Sequence, residues 1–121
     1  MVTSGSSRVH RLTHRREFDA VFERAGLRCS SAEFLVLAIE NGQEASRIGM
    51  VVSKKVAGTS VNRNRIRRLI RESFRHRFDR NGLDIVIVAR PAVANMENAV
   101  ILRVLLGLWE KLVNTSVKNS L

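Results

Sequence analysis

A row of arginines between residues 63 and 75 is the strongest chemical signal in the sequence. At about 100° per residue, a helix over this segment would gather four arginines on one side. They are Arg65, Arg68, Arg71 and Arg75. Residues three or four apart are separated by ~5 Å along a helix axis, so their guanidinium groups would form a ladder about 15 Å long. Because guanidinium groups are planar and permanently charged, this ladder predicts a phosphate-binding face, with Arg67 near its boundary.

A solvated helix face with internal salt bridges is the alternative interpretation of the same arginines. Glu72 is spaced to pair with Arg68 or Arg75. One carboxylate cannot balance this many arginines, however, and like charges four residues apart destabilise a helix by a few tenths of a kcal/mol per pair. The pattern therefore favours binding of an anion.

Basic and amide side chains extend this surface ahead of the helix. They are Lys54, Lys55, Asn62, Arg63 and Asn64. A mixture of amide and guanidinium donors suits phosphates, ribose hydroxyls and base edges together. A helix-capping segment with incidental arginines is the alternative for residues 62–65.

The overall charge points to a polyanionic partner. The 121 residues contain 21 Lys and Arg against 11 Asp and Glu, a formal charge of +10. A membrane-surface protein would need a basic amphipathic helix with an exposed apolar face or a lipidation signal, and neither is visible. The first 16 residues lack the apolar run of a secretory signal, and Arg103 interrupts the longest apolar stretch. We therefore predict a soluble, cytoplasmic protein that binds nucleic acid, with no membrane as partner.

No group of residues has the spacing of a catalytic site. Cleavage of RNA by protein groups needs a paired acid and base or carboxylates that hold metal ions. Asp79 and Asp84 lie at opposite ends of a loop, and His10 and His14 belong to a basic segment. The lone Cys29 excludes an internal disulfide. We predict no catalytic residue and no metal site formed by protein side chains alone, with a protein-only nuclease as a rival hypothesis.

The elements that must position these residues begin with a short amphipathic helix. Thr13 is its candidate N-cap and Gly26 its stop, and its apolar positions follow helical spacing: Phe18, Val21, Phe22 and Ala25. Two apolar runs of strand length follow at residues 34–39 and 48–53, separated by a turn-rich segment. We predict that these two strands are antiparallel neighbours.

The arginine-bearing helix lies between two strands. Its candidate N-caps are Thr59, Ser60 and Asn62, and its apolar stripe consists of Ile66, Leu69, Ile70, Phe74 and Phe78. Residues 84–90 form a buried strand that ends at Pro91. A last helix over about 95–113 carries Ile101, Val104, Leu105, Leu108 and Leu112, followed by a loose tail. We predict one domain over residues 1–121, ordered at about 9–114 with frayed termini.

Three segments in order resemble the bacterial ribonuclease P protein family. They are 47–55 (RIGMVVSKK), 63–74 (RNRIRRLIRESF) and 84–91 (DIVIVARP). The opening helix and the strand of Phe34 are also similar to the start of family members. The likeness thus covers most of the chain.

The resemblance implies a two-layer α/β (α+β) sandwich. Its central sheet is mainly antiparallel, it contains a β-α-β crossover that is left-handed in the family, and N- and C-terminal helices flank it. It also implies a ribonuclease P subunit, part of a ribonucleoprotein endonuclease and hydrolase that removes the 5′ leader of precursor tRNA. Catalysis would belong to the RNA subunit, which requires Mg²⁺, while the protein binds no cofactor. The implied partners are the catalytic RNA and precursor tRNA, with no DNA expected. A ribosomal or general RNA-binding protein is the alternative.

The resemblance also implies two groups of binding residues. Contacts to the catalytic RNA are expected from Lys54, Lys55, Asn62, Arg63, Asn64, Arg65, Arg67, Arg68, Arg71 and Arg75. A cleft for the leader of precursor tRNA is expected to include Arg11, Phe18, Phe22, Phe34 and Arg90. For Phe22 and Phe34, packing in the core is an equally open interpretation. The sequence departs from the family pattern at Leu37, where an aromatic residue is common, and in a linker at 56–62 that is one residue longer.

Overall fold

The predicted helices and strands are all present in the predicted order, and one further strand precedes the strand of Phe34. The structure is a computed structural model that describes residues 11–77 and 82–120, with side chains through residue 115. Its elements are α1 (Arg15–Arg24), β1 (Leu27–Ser30), β2 (Phe34–Glu40), β3 (Arg47–Val51), α2 (Ser60–Arg77), β4 (Leu83–Ala89), a 3-10 helix (Pro91–Val93) and α3 (Asn98–Ser120). Phe78, Asp79, His10 and the N-terminal residues predicted to fray lie outside the described residues. Within them, no helix is both long and apolar enough to cross a membrane.

The four strands form one sheet in the order β1-β2-β4-β3. β4 pairs antiparallel with β2 and parallel with β3. The mixed α/β class and the strand–helix–strand unit formed by β3, α2 and β4 are therefore confirmed, while the handedness of that crossover stays a prediction. The predicted pairing of β2 with β3 is wrong, because β4 returns through α2 and lies between them.

The main core lies between the sheet and the pair of helices α2 and α3. The predicted stripe of α2 is buried there from Ile66 to Phe74, and Ile101, Leu105, Leu108 and Leu112 of α3 are buried with it. Alternate strand residues such as Ile48, Ile85 and Ile87 point into this core. The opposite face of the sheet is covered by α1 around Val21 and Leu37, so helices lie on both faces.

Several boundaries differ from the sequence prediction. Strand β1 was not predicted, because its four residues give too little alternation. α1 is capped at His14 rather than Thr13, because the Glu17 carboxylate accepts the backbone N–H groups there. α3 begins at Asn98 rather than near residue 95, since a 3-10 turn follows Pro91. The tail predicted to be loose continues α3 to Ser120.

A buried hydrogen bond joins α2 to α3. The indole N–H of Trp109 donates to Ser73 Oγ at 2.8 Å, and that hydroxyl donates to the Ile70 carbonyl at 3.0 Å. The Trp109 ring also meets Phe74 edge to face, with 6.2 Å between centroids. These contacts fix the helix that carries the arginines against the C-terminal helix.

Replacing Ser73 by Ala should lower the free energy of unfolding by about 1–3 kcal/mol, because two buried hydrogen bonds are lost, one from Trp109 and one to the Ile70 carbonyl. Urea denaturation measures this. Thr115→Ala, which removes an exposed helical hydroxyl bonded to the Lys111 carbonyl, is the control. Equal effects of the two changes would contradict the assignment.

Candidate nucleic-acid interface

The outer side of α2 displays a mainly basic surface. Arg68, Arg75 and Asn64 are exposed, while Arg67 and Arg71 are partly buried along one flank. Thr59 Oγ accepts the Asn62 N–H at 3.1 Å and caps this helix, so the predicted cap is found at the first of its three candidates. Opposite this side lies the buried stripe of Ile66, Leu69 and Ile70. We call Asn64, Arg67, Arg68, Arg71 and Arg75 the α2 outer face.

Little negative charge balances the α2 outer face. Among the described residues, Glu72 is the single carboxylate within 4 Å of its arginines, at 3.9 Å from Arg68 Nε. Partial burial, and then the positive charges of Arg11 and Arg67, lower the pKa of the Arg71 guanidinium. Such a concentration of positive charge is poorly compensated within the protein and attracts anions.

Three predicted contact residues point elsewhere. Arg63 Nη1 donates to the Ala57 carbonyl at 3.0 Å. Arg65, predicted on the side opposite the core, instead reaches across to the segment before α3, and Asn62 donates to the Ala94 carbonyl of that segment. Arg65 lies on the flank of α2 and not directly in line with Arg68. On that flank the carbonyl groups of Ala94 and Met96 are within hydrogen-bonding distance.

Lys54 and Lys55 are exposed in the turn that leaves β3. Backbone hydrogen bonds from Val56 and Ala57 to the Ser53 carbonyl close this turn. Because Val56 and Ala57 are buried, the turn is anchored to the core and holds the two lysines at the end of the sheet.

The leader cleft that the resemblance implies would lie on the second face of the sheet, beside α1. Leu37 and Val86 are buried beneath α1, together with Val21. At Gly49 of β3, an added Cβ would lie 2.5 Å from Cε2 of Phe18. The glycine therefore allows the Phe18 ring to lie against the strand, as expected for a strand glycine at a close approach.

Phe34 does not line this cleft. It is fully buried in the main core on the opposite face, so the prediction that it lines the leader cleft is wrong. Adjacent strand residues point to opposite faces, and it is Leu35 that faces the α1 side. Leu37, noted as the departure from an aromatic, lies under α1 and is 4% exposed.

An aliphatic row on the α1 side of the sheet was not among the predicted site residues. Leu35 pairs with Val88 and Val88 with Val51, and all three are partly buried. Phe22 of α1 is 47% exposed. Because β2 and β4 are apolar on both faces, their sequences could have indicated this row only if the side of the sheet on which one residue lies were already known.

The two basic residues predicted for the cleft lie apart, Arg11 at an edge of the sheet and Arg90 at the end of an interior strand. Arg11 is exposed and pairs in a β-bridge with Ile48 at the outer edge of β3. Arg90 follows β4, and its Nη1 donates to the Ser31 carbonyl at 3.0 Å. Arg11 influences Arg71 electrostatically, which links the sheet edge to the α2 outer face.

An ionic network attaches α1 to the sheet. Arg47 donates to both oxygens of Asp84, at 2.9 and 2.6 Å, and to Glu17 Oε2 at 2.7 Å. Asn41 donates to the same Asp84 carboxylate. The backbone N–H of His14, then that of Thr13, and the charge of Arg47 lower the pKa of Glu17 from 4.5 to about 2. The network fixes α1, which carries Phe18 and Phe22.

Within the described residues, no three His, Cys, Asp or Glu side chains lie together in a way that could hold a metal ion. Asp84 is committed to Arg47. Burial raises the pKa of the Cys29 thiol, whose Sγ donates to the Leu108 carbonyl at 3.7 Å. That thiol has the environment of a packing residue rather than a nucleophile.

Comparison with known proteins identifies the family. The family model described as Ribonuclease P matches residues 7–113. The chain belongs to the ribonuclease P protein family. Ribonuclease P protein components from Stutzerimonas stutzeri and Pseudomonas aeruginosa are 38% and 40% identical to it. These matches cover 98% and 93% of this chain and 92% and 84% of those proteins.

Solved structures of ribonuclease P proteins share the fold. The Staphylococcus aureus protein superposes with a TM-score of 0.73 at 26% identity, covering 90% of this chain and 96% of that one. The Thermotoga maritima protein gives 0.64 at 30% identity, covering 88% and 94%. The chain is thus a ribonuclease P protein component, which has a role in tRNA processing as part of a ribonuclease holoenzyme with an RNA partner.

Replacing Glu17 by Gln tests the network that holds α1. Because the folded pKa of about 2 lies below the ordinary 4.5, ionised Glu17 stabilises the fold above pH 4.5, and this contribution disappears as the pH falls to 2. The variant should therefore be less stable than the wild type at neutral pH, and the difference in unfolding free energy should shrink between pH 4.5 and 2.

Urea denaturation across this pH range provides the measurement. Glu110→Gln, which breaks the exposed pair with Arg77 at 3.0 Å, is the matched control and should have little effect. A difference between wild type and Glu17→Gln that stays constant with pH would exclude the carboxylate as the cause.

Proposed function

We propose that the chain binds the catalytic RNA of ribonuclease P and the 5′ leader of precursor tRNA, and so assists endonucleolytic removal of the leader. Hydrolysis is carried out by the RNA subunit with its own Mg²⁺, and no protein side chain acts as acid, base or nucleophile. The observation that carries this proposal is the α2 outer face, whose arginines have a single carboxylate neighbour among the described residues.

The α2 outer face is suited to a folded RNA. The helix that carries Arg67, Arg68, Arg71 and Arg75 is fixed by the core. Binding of RNA therefore orders only the arginine side chains and not the backbone that carries them. Phosphate contacts of this kind supply affinity without reading sequence. Lys54 and Lys55 extend the same positive surface toward the end of β3.

The cleft is suited to a single strand. Its floor is the aliphatic row of Leu35, Val51 and Val88, and α1 offers the Phe18 and Phe22 rings. Aromatic rings stack on unpaired bases, while duplex RNA cannot present its base faces. Arg90 follows β4 directly, two residues after Val88. From this position its guanidinium group would bind a backbone phosphate of the leader.

The hydrogen bonds of two carboxylates support the proposal that the protein takes no part in hydrolysis. Asp84, one of the acidic residues nearest the cleft, uses both oxygens to bind Arg47. Glu17 binds the same arginine and caps α1. Both carboxylates are used to stabilise the fold and are not available as Mg²⁺ ligands. This supports the proposal that Mg²⁺ is bound by the RNA active site.

The decisive experiment is multiple-turnover cleavage of precursor tRNA at low Mg²⁺. The purified protein with its cognate catalytic RNA should cleave much faster than the RNA alone, and the protein alone should not cleave. No acceleration would favour a general RNA-binding protein, and cleavage without the RNA would favour a protein nuclease.

Replacing Phe22 by Ala should weaken binding of precursor tRNA by the holoenzyme roughly 5- to 150-fold, the range for one lost base stack. Binding of mature tRNA should change little, because it has no leader. Leu106→Ala is the control, since Leu106 is 49% exposed on α3 against 47% for Phe22. Equal losses for precursor and mature tRNA would exclude a leader contact.

A further inference from the structure

Arg65 spends most of its hydrogen-bonding capacity inside the protein. Nη1 donates to the Met96 carbonyl at 3.1 Å and to Asn98 Oδ1 at 2.6 Å. Nη2 donates to the Ala94 carbonyl at 3.3 Å, and Nε donates to Asn62 Oδ1 at 2.9 Å. A guanidinium group has five N–H donors, so four are engaged and one is left.

Asn62 completes the same arrangement. Its Nδ2 donates to the Ala94 carbonyl at 3.1 Å, while its Oδ1 accepts from Arg65. Both side chains thereby hold residues 94–98, the connection between the 3-10 helix and α3, against the first turns of α2. We call Asn62, Arg65 and Asn98 the α2–α3 clamp.

Arg65 and its neighbour Arg68 differ in how many guanidinium N–H donors are free to bind RNA. Paired recognition of a phosphate needs two parallel N–H groups of one guanidinium, and Arg65 has only one to offer. Arg68 is exposed and has one distant carboxylate neighbour at 3.9 Å. Two arginines that look equivalent in the sequence are thus chemically different in the fold.

We propose that Arg65 is a positioning residue, which through the α2–α3 clamp sets the orientation in which Asn64 and Arg68 meet the RNA. The inference rests on the proposed function, because it concerns the same RNA-binding face. The first turns of α2 carry Asn64 and Arg68 four residues apart on one side. Holding those turns against residues 94–98 fixes where both side chains point.

Charge-preserving variants separate positioning from direct binding. Arg65→Lys keeps the charge but cannot form the four-bond arrangement, because an ammonium has three donors at a single nitrogen. It should weaken binding of the catalytic RNA by roughly fivefold, the factor for about one hydrogen bond. Arg103→Lys, at an exposed arginine of α3 outside both the α2 outer face and the α2–α3 clamp, is the charge-preserving control and should bind the catalytic RNA like the wild type.

Charge-removing variants give the complementary readout, the salt dependence of RNA binding. Arg68→Gln should reduce the slope of log affinity against log salt by ~0.7–0.9, the value for one phosphate contact. Arg65→Gln should lower the affinity and leave that slope unchanged. Affinities are measured where circular dichroism shows each variant fully folded, so a purely structural role would leave them unchanged.

Asn98→Ala provides a test at an exposed residue on another element. It removes the acceptor at 2.6 Å without altering any charge. It should weaken RNA binding in the same direction as Arg65→Lys, and the double variant should be no weaker than Arg65→Lys alone, because both changes break one clamp.

The outcomes distinguish this inference from the proposed function. A slope that falls equally for Arg65→Gln and Arg68→Gln, or Asn98→Ala binding like the wild type, would overturn the positioning role alone. Wild-type protein that fails to bind the catalytic RNA would overturn the proposed function and the inference with it. If an Arg65 variant does not fold, Asn98→Ala decides the question.

Discussion

Parallel pairing of β3 with β4 is the constraint on which the other features depend. It requires a crossover, and α2 supplies it, so the arginine helix packs on the main core with its opposite side in solvent. The same register places Arg47 beside Asp84 and Gly49 beside Val86. The first pair anchors α1 through Glu17, and the second leaves room for Phe18. One strand pairing therefore positions both the basic face and the cleft.

Acidic and basic side chains have different roles in this protein. Glu17 and Asp84 are bound to Arg47, so these two carboxylates support the fold. The arginines of the α2 outer face have few such partners. α2 carries seven arginines and one glutamate, a formal charge of +6, and packs against the main core, which favours a structured polyanion over scattered, nonspecific contacts.

Local periodicity and the family resemblance explain what the sequence could predict. The stripe from Ile66 to Phe74 and the exposed Arg68 and Arg75 follow from helical spacing, which depends on neighbouring residues alone. Local spacing does not predict on which side of the sheet Phe34 lies or which strand pairs with β3, because β2 and β4 are apolar on both faces and show no alternation. The inward turn of Arg65 depends on carbonyl groups at residues 94–96, about thirty positions away. Contacts of that kind require the fold itself.

The aliphatic row of Leu35, Val51 and Val88 has a consequence for selectivity. These side chains have no donor or acceptor with which to distinguish the edges of one base from another. In the proposed complex, discrimination would come from whether the bases are free to leave a helix, not from their identity. In that complex, a surface of this composition would respond to whether a strand is unpaired, and one protein would then accept transcripts whose upstream sequences have nothing in common.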